Sequence, residues 1–229
     1  MNNAAQSTPA QQAWAGAKVR PRVLLADDHS LLLDAFKKLL RPHCDVVGSA
    51  GDGREMLRLA RELQPDVIVS DISMPLLNGL DAGTKIIKQW PDIKLIYLTL
   101  NEEPELVADA FRQGASGYLL KSSAATELFS AIEVVMKGGK YVTPLMTEAL
   151  IGSFLKDSGE EKPAHELSTR QREVLQLLAE GKTMKEAAEI LSLTSRTVAF
   201  HKYQIMKDLD IKSNSELIQY ALREGLISA

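Results

Sequence analysis

The sequence predicts an α/β protein with a doubly wound parallel sheet, followed by a small all-helical domain. Short apolar runs alternate with amphipathic segments between Arg22 and about Gly138, whereas residues 167–229 show helical periods and no strand pattern. Five strand–helix units in succession favour a parallel sheet with helices on both faces. The predicted strands lie near 23–26, 45–48, 66–70, 94–98 and 117–120, and the predicted helices near 30–41, 53–63, 80–90, 104–113 and 124–137.

Composition divides the 229-residue chain into four segments. Residues 1–21 are rich in Ala, Gln, Ser, Thr and Pro, which predicts a flexible leader. Residues 22–140 form the predicted α/β domain. Residues 141–166 are predicted to hold a helix from Thr143 to about Lys156 and then a polar tether with Gly and Pro breakers. Residues 167–229 form the helical domain.

Bulk composition excludes several classes of protein. The hydrophobic fraction of 45% is enough for two domain cores. No stretch approaches the roughly 18 apolar residues that a membrane helix needs, and the first residues lack a basic and then apolar signal pattern. The single cysteine, Cys44, cannot form an internal disulfide. Together these features predict a cytoplasmic protein without a membrane partner.

Polar side chains end four of the five predicted strands. They are Asp27 and Asp28 after the first strand, Asp71 after the third, Thr99 after the fourth and Lys121 after the fifth. The carboxyl ends of parallel strands meet at one edge of a sheet, where open α/β sheets bind their ligands. Three acids, a hydroxyl and an ammonium at that edge predict a site that holds a divalent cation and carries a phosphoryl group on a carboxylate.

Each member of this set has a definite predicted role. Mg²⁺ prefers oxygen ligands, and the predicted ligands are Asp27, Asp28, Asp71 and the backbone carbonyl of Ser73. Asp71 is the predicted phosphoacceptor. Lys121 is predicted to pair with Asp71 and with phosphate oxygens, and the Thr99 hydroxyl to donate to a phosphate oxygen.

Taken singly, these residues also have ordinary explanations. An Asp-Asp pair after a strand is often only a turn and a helix cap, a lone threonine suits a strand, and a lone lysine is usually a solvated surface residue. Their joint occurrence at successive strand ends favours the functional interpretation.

The helical domain carries the pattern of a helix-turn-helix. Ser168 with Gln171 predicts a capping box at the start of its first helix, which ends at Gly181. A short helix follows, and after a turn Thr194 is predicted to cap a longer helix that runs through Leu209. The short helix spans about Met184 to Leu191, and Ser213 with Glu216 predicts a second capping box before the last helix.

A helical projection separates two faces of the helix that begins after Thr194. Val198, Ile205 and Leu209 fall on one stripe, which predicts the side facing the core. The opposite face gathers Arg196, Phe200, Tyr203 and Lys207, with Ala199 and Gln204 at its edges. Cations and aromatics together predict contacts with DNA phosphates and base edges, although the two aromatics could instead pack on the linker or the α/β domain. The predicted DNA contacts are Lys182, Lys185, Arg196, Ala199, Phe200, Lys202, Tyr203 and Lys207.

Residues 22–138 resemble the receiver domain of two-component response regulators. The matching motifs are Asp27-Asp28, Asp71-Ile-Ser-Met-Pro75 with Gly79, Thr99, and Gly117-Tyr-Leu-Leu-Lys121. The resemblance implies a flavodoxin-like fold, Mg²⁺, and phosphorylation of Asp71 by a sensor histidine kinase or a small phosphodonor. It also implies a switch in which Thr99 moves toward the phosphate and Tyr118 turns inward, although Tyr118 could be only a half-buried strand residue. Ser122 stands where many receivers have proline.

The C-terminal segment resembles the LuxR-type helix-turn-helix of the NarL/FixJ subgroup of response regulators. The matching pattern is Leu167-Ser-Thr-Arg-Gln-Arg-Glu-Val-Leu175, Gly181, Lys185-Glu-Ala-Ala188, Thr197-Val198, His201 and Leu209. The resemblance implies binding to double-stranded DNA and a homodimer when the protein is phosphorylated or DNA-bound. It places the dimer surface on the last helix, at Leu217, Ile218 and Ala221, which could instead serve only the core. Many relatives have Lys after the Thr-Val pair, where this chain has Ala199-Phe200.

These observations predict a phosphorylation-controlled DNA-binding transcriptional regulator. Phosphorylation of Asp71 would shift dimerisation and DNA binding of the C-terminal domain. The chain is not expected to turn over a dedicated substrate, although self-phosphorylation from small donors and autodephosphorylation at Asp71 are expected. One alternative is a constitutive DNA-binding protein whose receiver acts only as a dimerisation module. The other, a magnesium-dependent phosphohydrolase, lacks an obvious acid/base residue beside Asp71.

Overall fold

The computed structural model describes residues 20–100, 104–147 and 167–227. In these ranges six strands form one parallel sheet in the order β2-β1-β3-β4-β5-β6. The order of the first five strands is that of flavodoxin-like doubly wound folds, so the predicted fold class is confirmed. The strands are β1 Arg22–Ala26, β2 Asp45–Ala50, β3 Val67–Asp71, β4 Lys94–Thr99, β5 Gly117–Leu120 and β6 Tyr141–Val142.

Helices cover both faces of this sheet. Successive strand residues point to opposite faces: Leu24 of β1 packs in one core with α2, α3 and α4, whereas Val23 and Leu25 pack in another with α1 and α5. Both cores are therefore built from the same strands, and because all strand pairs are parallel, the carboxyl ends of the strands lie at one edge. The helices are α1 Ser30–Leu40, α2 Gly53–Leu63, α3 Gly79–Gln89, α4 Pro104–Arg112 and α5 Ala124–Met136.

The sixth strand was not predicted, and the expectation of five strands is wrong. β6 contains two residues and lies at the edge of the sheet beside β5. A strand of two residues is too short to show a hydrophobic period in the sequence. Residues 144–147 are helical, as predicted. The remainder of that predicted helix, the polar tether and residues 1–19 of the predicted leader lie outside the described residues.

The C-terminal domain packs α6 Thr169–Ala179, α7 Met184–Leu191, α8 Ser195–Asp208 and α9 Asn214–Arg223 around one apolar core. The predicted capping box of Ser168 and Gln171 is present. The second predicted capping box is only half formed. The Glu216 carboxylate accepts from the backbone N–H of Lys212 at 2.9 Å and from the Ser213 hydroxyl, not from the backbone N–H of Ser213. An unpredicted capping box, Thr183 with Glu186, starts α7. In the described ranges no helix has both the length and the apolar character that crossing a bilayer requires.

Candidate phosphoacceptor site and DNA-contacting helix

Three predicted acids meet where β1 and β3 end side by side. The ligand atoms of Asp27, Asp28, His29 and Asp71 all lie within 4.8 Å of one another. Asp27 and Asp71 are buried, whereas Asp28 and His29 are exposed. The structure therefore brings together the acids that the strand pattern predicted.

Lys121 joins this cluster from the end of β5. Its Nζ lies 2.8 Å from Asp27 Oδ2 and 2.8 Å from Asp71 Oδ2. Burial alone would lower the pKa of Lys121, but its bonds to the two carboxylates hold that pKa above its usual value. Burial raises the pKa of Asp71, and Lys121 opposes part of that rise. Lys121 is thus held in the charged form that can pair with a phosphate.

The donor set fits a magnesium ion. Mg²⁺ prefers carboxylate oxygens, and here three aspartates face one lysine, so negative charge is in excess. Asp27, Asp28 and Asp71 are the residues that could hold the ion. The Ser73 carbonyl stays a predicted ligand; the Ser73 N–H donates to Asp71 Oδ1 at 3.3 Å.

His29 was not predicted as part of this site. Its Nδ1 lies 2.7 Å from Asp28 Oδ1 and 3.1 Å from Asp27 Oδ1, and its backbone N–H donates to Asp27 Oδ1 at 2.8 Å. Asp27 is thereby fixed from two sides, by His29 and by Lys121. The only signal in the sequence is that His29 directly follows the Asp-Asp pair.

The two predicted switch residues lie on the strands beside β3. Thr99 is the last residue of β4 and is buried, so its position at the functional edge agrees with the prediction. Tyr118 lies in β5 with its side chain completely buried. Tyr118 is thus more deeply buried than the half-buried alternative assumed, and its part in the switch stays a prediction.

A tight loop returns the chain from Asp71 to α3. Gly79 N–H donates to the carbonyl of Ile72 at 2.7 Å, and a Cβ on Gly79 would lie 1.9 Å from the Asp71 carbonyl oxygen. Only glycine allows this close approach. Within the loop Leu76 has φ of +65°, a region that leucine rarely adopts. We name residues 72–78 the phosphoacceptor loop.

The predicted core side and contact face of α8 are both present. Val198 and Ile205 are fully buried, and Leu209 packs against the same core. On the other side Phe200 is 63% exposed and Tyr203 is 65% exposed. We name this side, with the exposed cations Arg196 and Lys207, the α8 contact face. The predicted packing of the two aromatics on another part of the chain is not seen in the described residues.

The other predicted DNA contacts surround this face. Lys185 at the start of α7 is exposed, and Lys182, Ala199 and Lys202 are half-buried. Their contacts with DNA stay predictions. Large aromatic side chains with this exposure on a helix that also carries cations favour a binding surface.

The predicted dimer surface needs correction. Leu217 and Ala221 of α9 are buried in the core of their own domain, because both lie on the face of α9 that packs against the other helices. Ile218 is 38% exposed and Leu222 is 37% exposed. The apolar surface that α9 offers to a partner is therefore Ile218 and Leu222, and Leu222 was not predicted.

Comparison with known families agrees with both halves of the chain. Residues 23–133 match the model for the response regulator receiver domain, and residues 165–221 match the model for bacterial regulatory proteins of the luxR family. The chain is 37% identical over 214 residues to the oxygen regulatory protein NreC of Staphylococcus carnosus, covering 90% of this chain and 99% of NreC. The chain belongs to the NarL/FixJ subgroup of response regulators. Its members are phosphorylation-controlled transcriptional regulators rather than metabolic enzymes, which confirms the predicted class.

Two further similarities span both domains of this response regulator. It is 35% identical over 209 residues to the transcriptional regulatory protein MctR of Rhizobium johnstonii, covering 90% of this chain and 95% of MctR. It also resembles a solved structure of RcsB from Salmonella enterica serovar Typhimurium, bound to the promoter rprA in the presence of the phosphomimetic BeF3⁻. That likeness has a TM-score of 0.57 at 27% identity and covers 88% of this chain and 98% of the RcsB chain.

Proposed function

We propose that Asp71 is the phosphoacceptor of a cytoplasmic regulator that is driven by a sensor histidine kinase. In this proposal residues 22–140 are the receiver, residues 167–229 are the DNA-binding domain, and residues 1–21 and 141–166 are a leader and a linker. Phosphorylation of Asp71 shifts dimerisation and binding to double-stranded DNA. The observation that carries the proposal is that Asp27 and Asp71 are buried at one sheet edge and that the partly buried Lys121 contacts both.

Phosphoryl transfer asks little covalent chemistry of the protein and depends on position and charge. An Asp71 carboxylate oxygen forms a bond to phosphorus while the bond from phosphorus to the donor breaks, and the donor leaves with its electron pair. Lys121 stays charged beside the new phosphate, and the Thr99 hydroxyl donates to one of its oxygens. When bound by Asp27, Asp28 and Asp71, a magnesium ion would neutralise negative charge on the transferring group.

The DNA-binding half of the proposal rests on the α8 contact face. Helix-turn-helix domains place their second helix in the major groove, with cations on phosphates or guanine edges. The likeness to RcsB bound to promoter DNA supports DNA binding by this chain. In this proposal Arg196 and Lys207 supply the charge, and the exposed Phe200 contacts a thymine methyl group. Ile218 and Leu222 on α9 form the apolar part of the dimer surface on paired half-sites.

Intact mass spectrometry tests the phosphoacceptor directly. After incubation with acetyl phosphate and Mg²⁺, the wild type should gain one adduct of about 80 Da. Asp71→Ala should gain none, and a chelator present during the incubation should prevent the adduct from forming on the wild type. Asp45→Ala, which alters an exposed aspartate of the same domain, is the matched control and should behave as the wild type. An adduct that persists in Asp71→Ala would contradict the assignment.

One observation favours the constitutive alternative. The α8 contact face is exposed although α6 is bonded to the receiver, so the contact between the two domains does not cover the reading surface. DNA affinity measured with and without acetyl phosphate separates the two functions. A regulated protein gains affinity only when Asp71 is intact, whereas a constitutive one binds equally as wild type and as Asp71→Ala under both conditions.

A further inference from the structure

The two domains meet where α6 lies beside the phosphoacceptor loop. The Gln176 side chain is fully buried; its Nε2 donates to the Met74 carbonyl at 2.8 Å, and its Oε1 accepts from the Asn78 N–H at 2.9 Å. The Glu180 carboxylate accepts from the Leu76 N–H at 3.1 Å. These bonds fix α6 on the receiver.

Side-chain contacts extend this interface along α6. Leu76 of the receiver packs against the core of the DNA-binding domain, and Arg172 Nε lies 3.1 Å from Asp81 Oδ1. Lys85 forms an ion pair with Glu173. Lys85 and Glu173 also line a cavity, so the contact between the domains opens there into a space that both domains share.

That cavity has a volume of about 320 Å³, which lies within the range of small-molecule sites. Side chains of α2 and of the end of α3 line it on the receiver, and Glu173 of α6 lines it from the other domain. The start of α2 packs directly on the phosphoacceptor loop, because a Cβ on Gly53 would lie 1.9 Å from the Leu77 carbonyl oxygen. We name this space the α2–α6 cavity; its receiver side is built in place by backbone packing.

Three arginines on one face of α2 line the α2–α6 cavity. They are Arg54, Arg58 and Arg61, spaced by four and then three residues, which places them on the same side of the helix. Arg58 is paired with Glu62 at 2.7 Å. In the described ranges of the chain, neither Arg54 nor Arg61 has an ion pair. This face of α2 therefore carries positive charge that its neighbours leave unpaired.

The one acid among the described residues that line the cavity is Glu173. It accepts from Arg170 at 2.6 Å and also pairs with Lys85. Burial would raise the pKa of Glu173, but the two cations hold it below its usual value. Because its charge is already shared between Lys85 and Arg170, Glu173 does not neutralise the arginines of α2.

Arg54 has a donor whose bonding is incomplete. Its backbone N–H donates to the Asp52 carboxylate at 2.8 Å, which fixes the residue at the start of α2. Its side-chain Nε is buried and has no hydrogen-bond partner within the part of the chain that the structure describes. A buried donor without an acceptor costs free energy. An acceptor that enters the cavity would recover that cost, which favours an anionic ligand.

Trp90 gives the cavity an aromatic surface. Its half-buried ring packs with Leu57 against the apolar core of the receiver, and both residues line the cavity. The buried Leu77 adds a further apolar side chain. Nucleobases stack on aromatic side chains because both have flat π-faces. An anion with a flat ring therefore uses both kinds of surface in the cavity, whereas a bare anion uses only the arginines.

We propose that the α2–α6 cavity binds a nucleoside monophosphate. Arg54 and Arg61 hold the phosphate, because guanidinium groups present paired donors that match phosphate oxygens. The base lies on Trp90. The site does not involve Asp71, so it stands apart from the proposed function. Since Glu173 belongs to the DNA-binding domain, the bound nucleotide favours the arrangement in which α6 is docked on the receiver.

Fluorescence of Trp90 tests the site in the full-length protein. Trp14 and Trp90 are the two tryptophans of the chain, so Trp14→Phe leaves Trp90 as the single reporter. AMP, GMP, CMP and UMP are titrated with a chelator present, which removes magnesium-dependent binding at the phosphoacceptor edge. After correction for absorption by the base, at least one nucleotide should quench Trp90 saturably, with half-saturation below about 1 mM.

Two further ligands test the assignment of the two surfaces. Inorganic phosphate and the matching nucleoside should each bind Trp14→Phe on the order of tenfold more weakly than the nucleotide, as calorimetry would show, because each uses only one surface. If none of the four nucleotides binds, the inference is overturned. Equal affinity for inorganic phosphate would overturn the assignment of a nucleotide, because Trp90 would then contribute nothing.

Arginine variants in the Trp14→Phe chain locate the site. Arg54→Gln and Arg61→Gln should each weaken nucleotide binding on the order of tenfold, a usual loss for a hydrogen bond to a charged group. Arg223→Gln alters an exposed arginine of α9 outside the cavity and should bind as the parent does. The exposed Arg61 carries the test if Arg54→Gln fails to fold. Unchanged affinity in Arg61→Gln, or an equal loss in Arg223→Gln, would contradict the site.

Discussion

The phosphoacceptor edge and the α8 contact face differ in how far their side chains are buried and paired. At the edge, Asp27 and Asp71 are buried, and the partly buried Lys121 is already paired with both. On α8, Phe200 and Tyr203 are large, apolar and exposed. Covalent transfer needs groups that are held in place before the donor arrives, whereas DNA supplies both the charge and the groove that complete the second surface. Substitutions should therefore disturb folding at the edge and only binding at the α8 contact face.

The largest effect is expected for Gly79→Ala. Its Cβ would lie 1.9 Å from the Asp71 carbonyl oxygen, so the phosphoacceptor backbone must move. Urea unfolding should show a loss of about 3 kcal/mol or more, and the acetyl phosphate adduct should be lost. Gly51→Ala is the matched control because nothing lies within 4 Å of its added Cβ. Equal stability of the two variants would show that the loop can relax at no cost.

A smaller effect on folding is expected for Lys121→Met. The substitution leaves the buried carboxylates of Asp27 and Asp71 without their cation, which should cost about 2–3 kcal/mol in low salt. Added Mg²⁺ should recover part of this loss by binding the aspartates, as urea unfolding with and without the ion would show. Lys137→Met, an exposed lysine after α5, should change neither value. If the Lys121→Met protein were as stable as the wild type, the phosphoacceptor edge would not differ from the α8 contact face in its importance for folding.

The smallest effect on folding is expected for Arg196→Ala. Its side chain is exposed, so unfolding should change by less than about 0.5 kcal/mol. DNA affinity should fall on the order of tenfold, and the slope of affinity against salt should decrease by about one if Arg196 contacts a phosphate. Val198→Ala, two residues along on the core side, should show the reverse, with lost stability. A folding defect in Arg196→Ala would mean that the α8 contact face is structural.

Much of the receiver was predictable because its signals are local and repeated. Each predicted strand is an apolar run, and four of the five runs end in residues of the site, so Asp71 and Lys121 could be placed at one edge from strand order alone. β6 escaped because two edge residues carry no pattern. His29 was not predicted as part of the site, because the role of a histidine in a turn cannot be assigned until its spatial neighbours are known.

The contacts between the domains could not be predicted from the sequence. Gln176 and Glu173 lie on an amphipathic helix where polar residues are expected to face solvent, yet both are buried against the receiver. Leu76 has no periodic neighbours, and its partners lie in the other domain. The same limit explains the error in the predicted dimer surface of α9. Leu217 was included there because sequence alone does not separate apolar residues that face the core from those at an exposed apolar edge.

The way α6 holds the receiver limits how freely the two modules can be exchanged. Gln176 and Glu180 bond main-chain atoms at Met74, Leu76 and Asn78, so any receiver with a loop of this shape would satisfy them. Leu76 and the pair of Asp81 with Arg172 are matched side chain to side chain. A chimera with a foreign receiver would keep the first set of bonds and lose the second. Because Lys85 of α3 also pairs with Glu173, the unit to transplant is the DNA-binding domain together with residues 72–85.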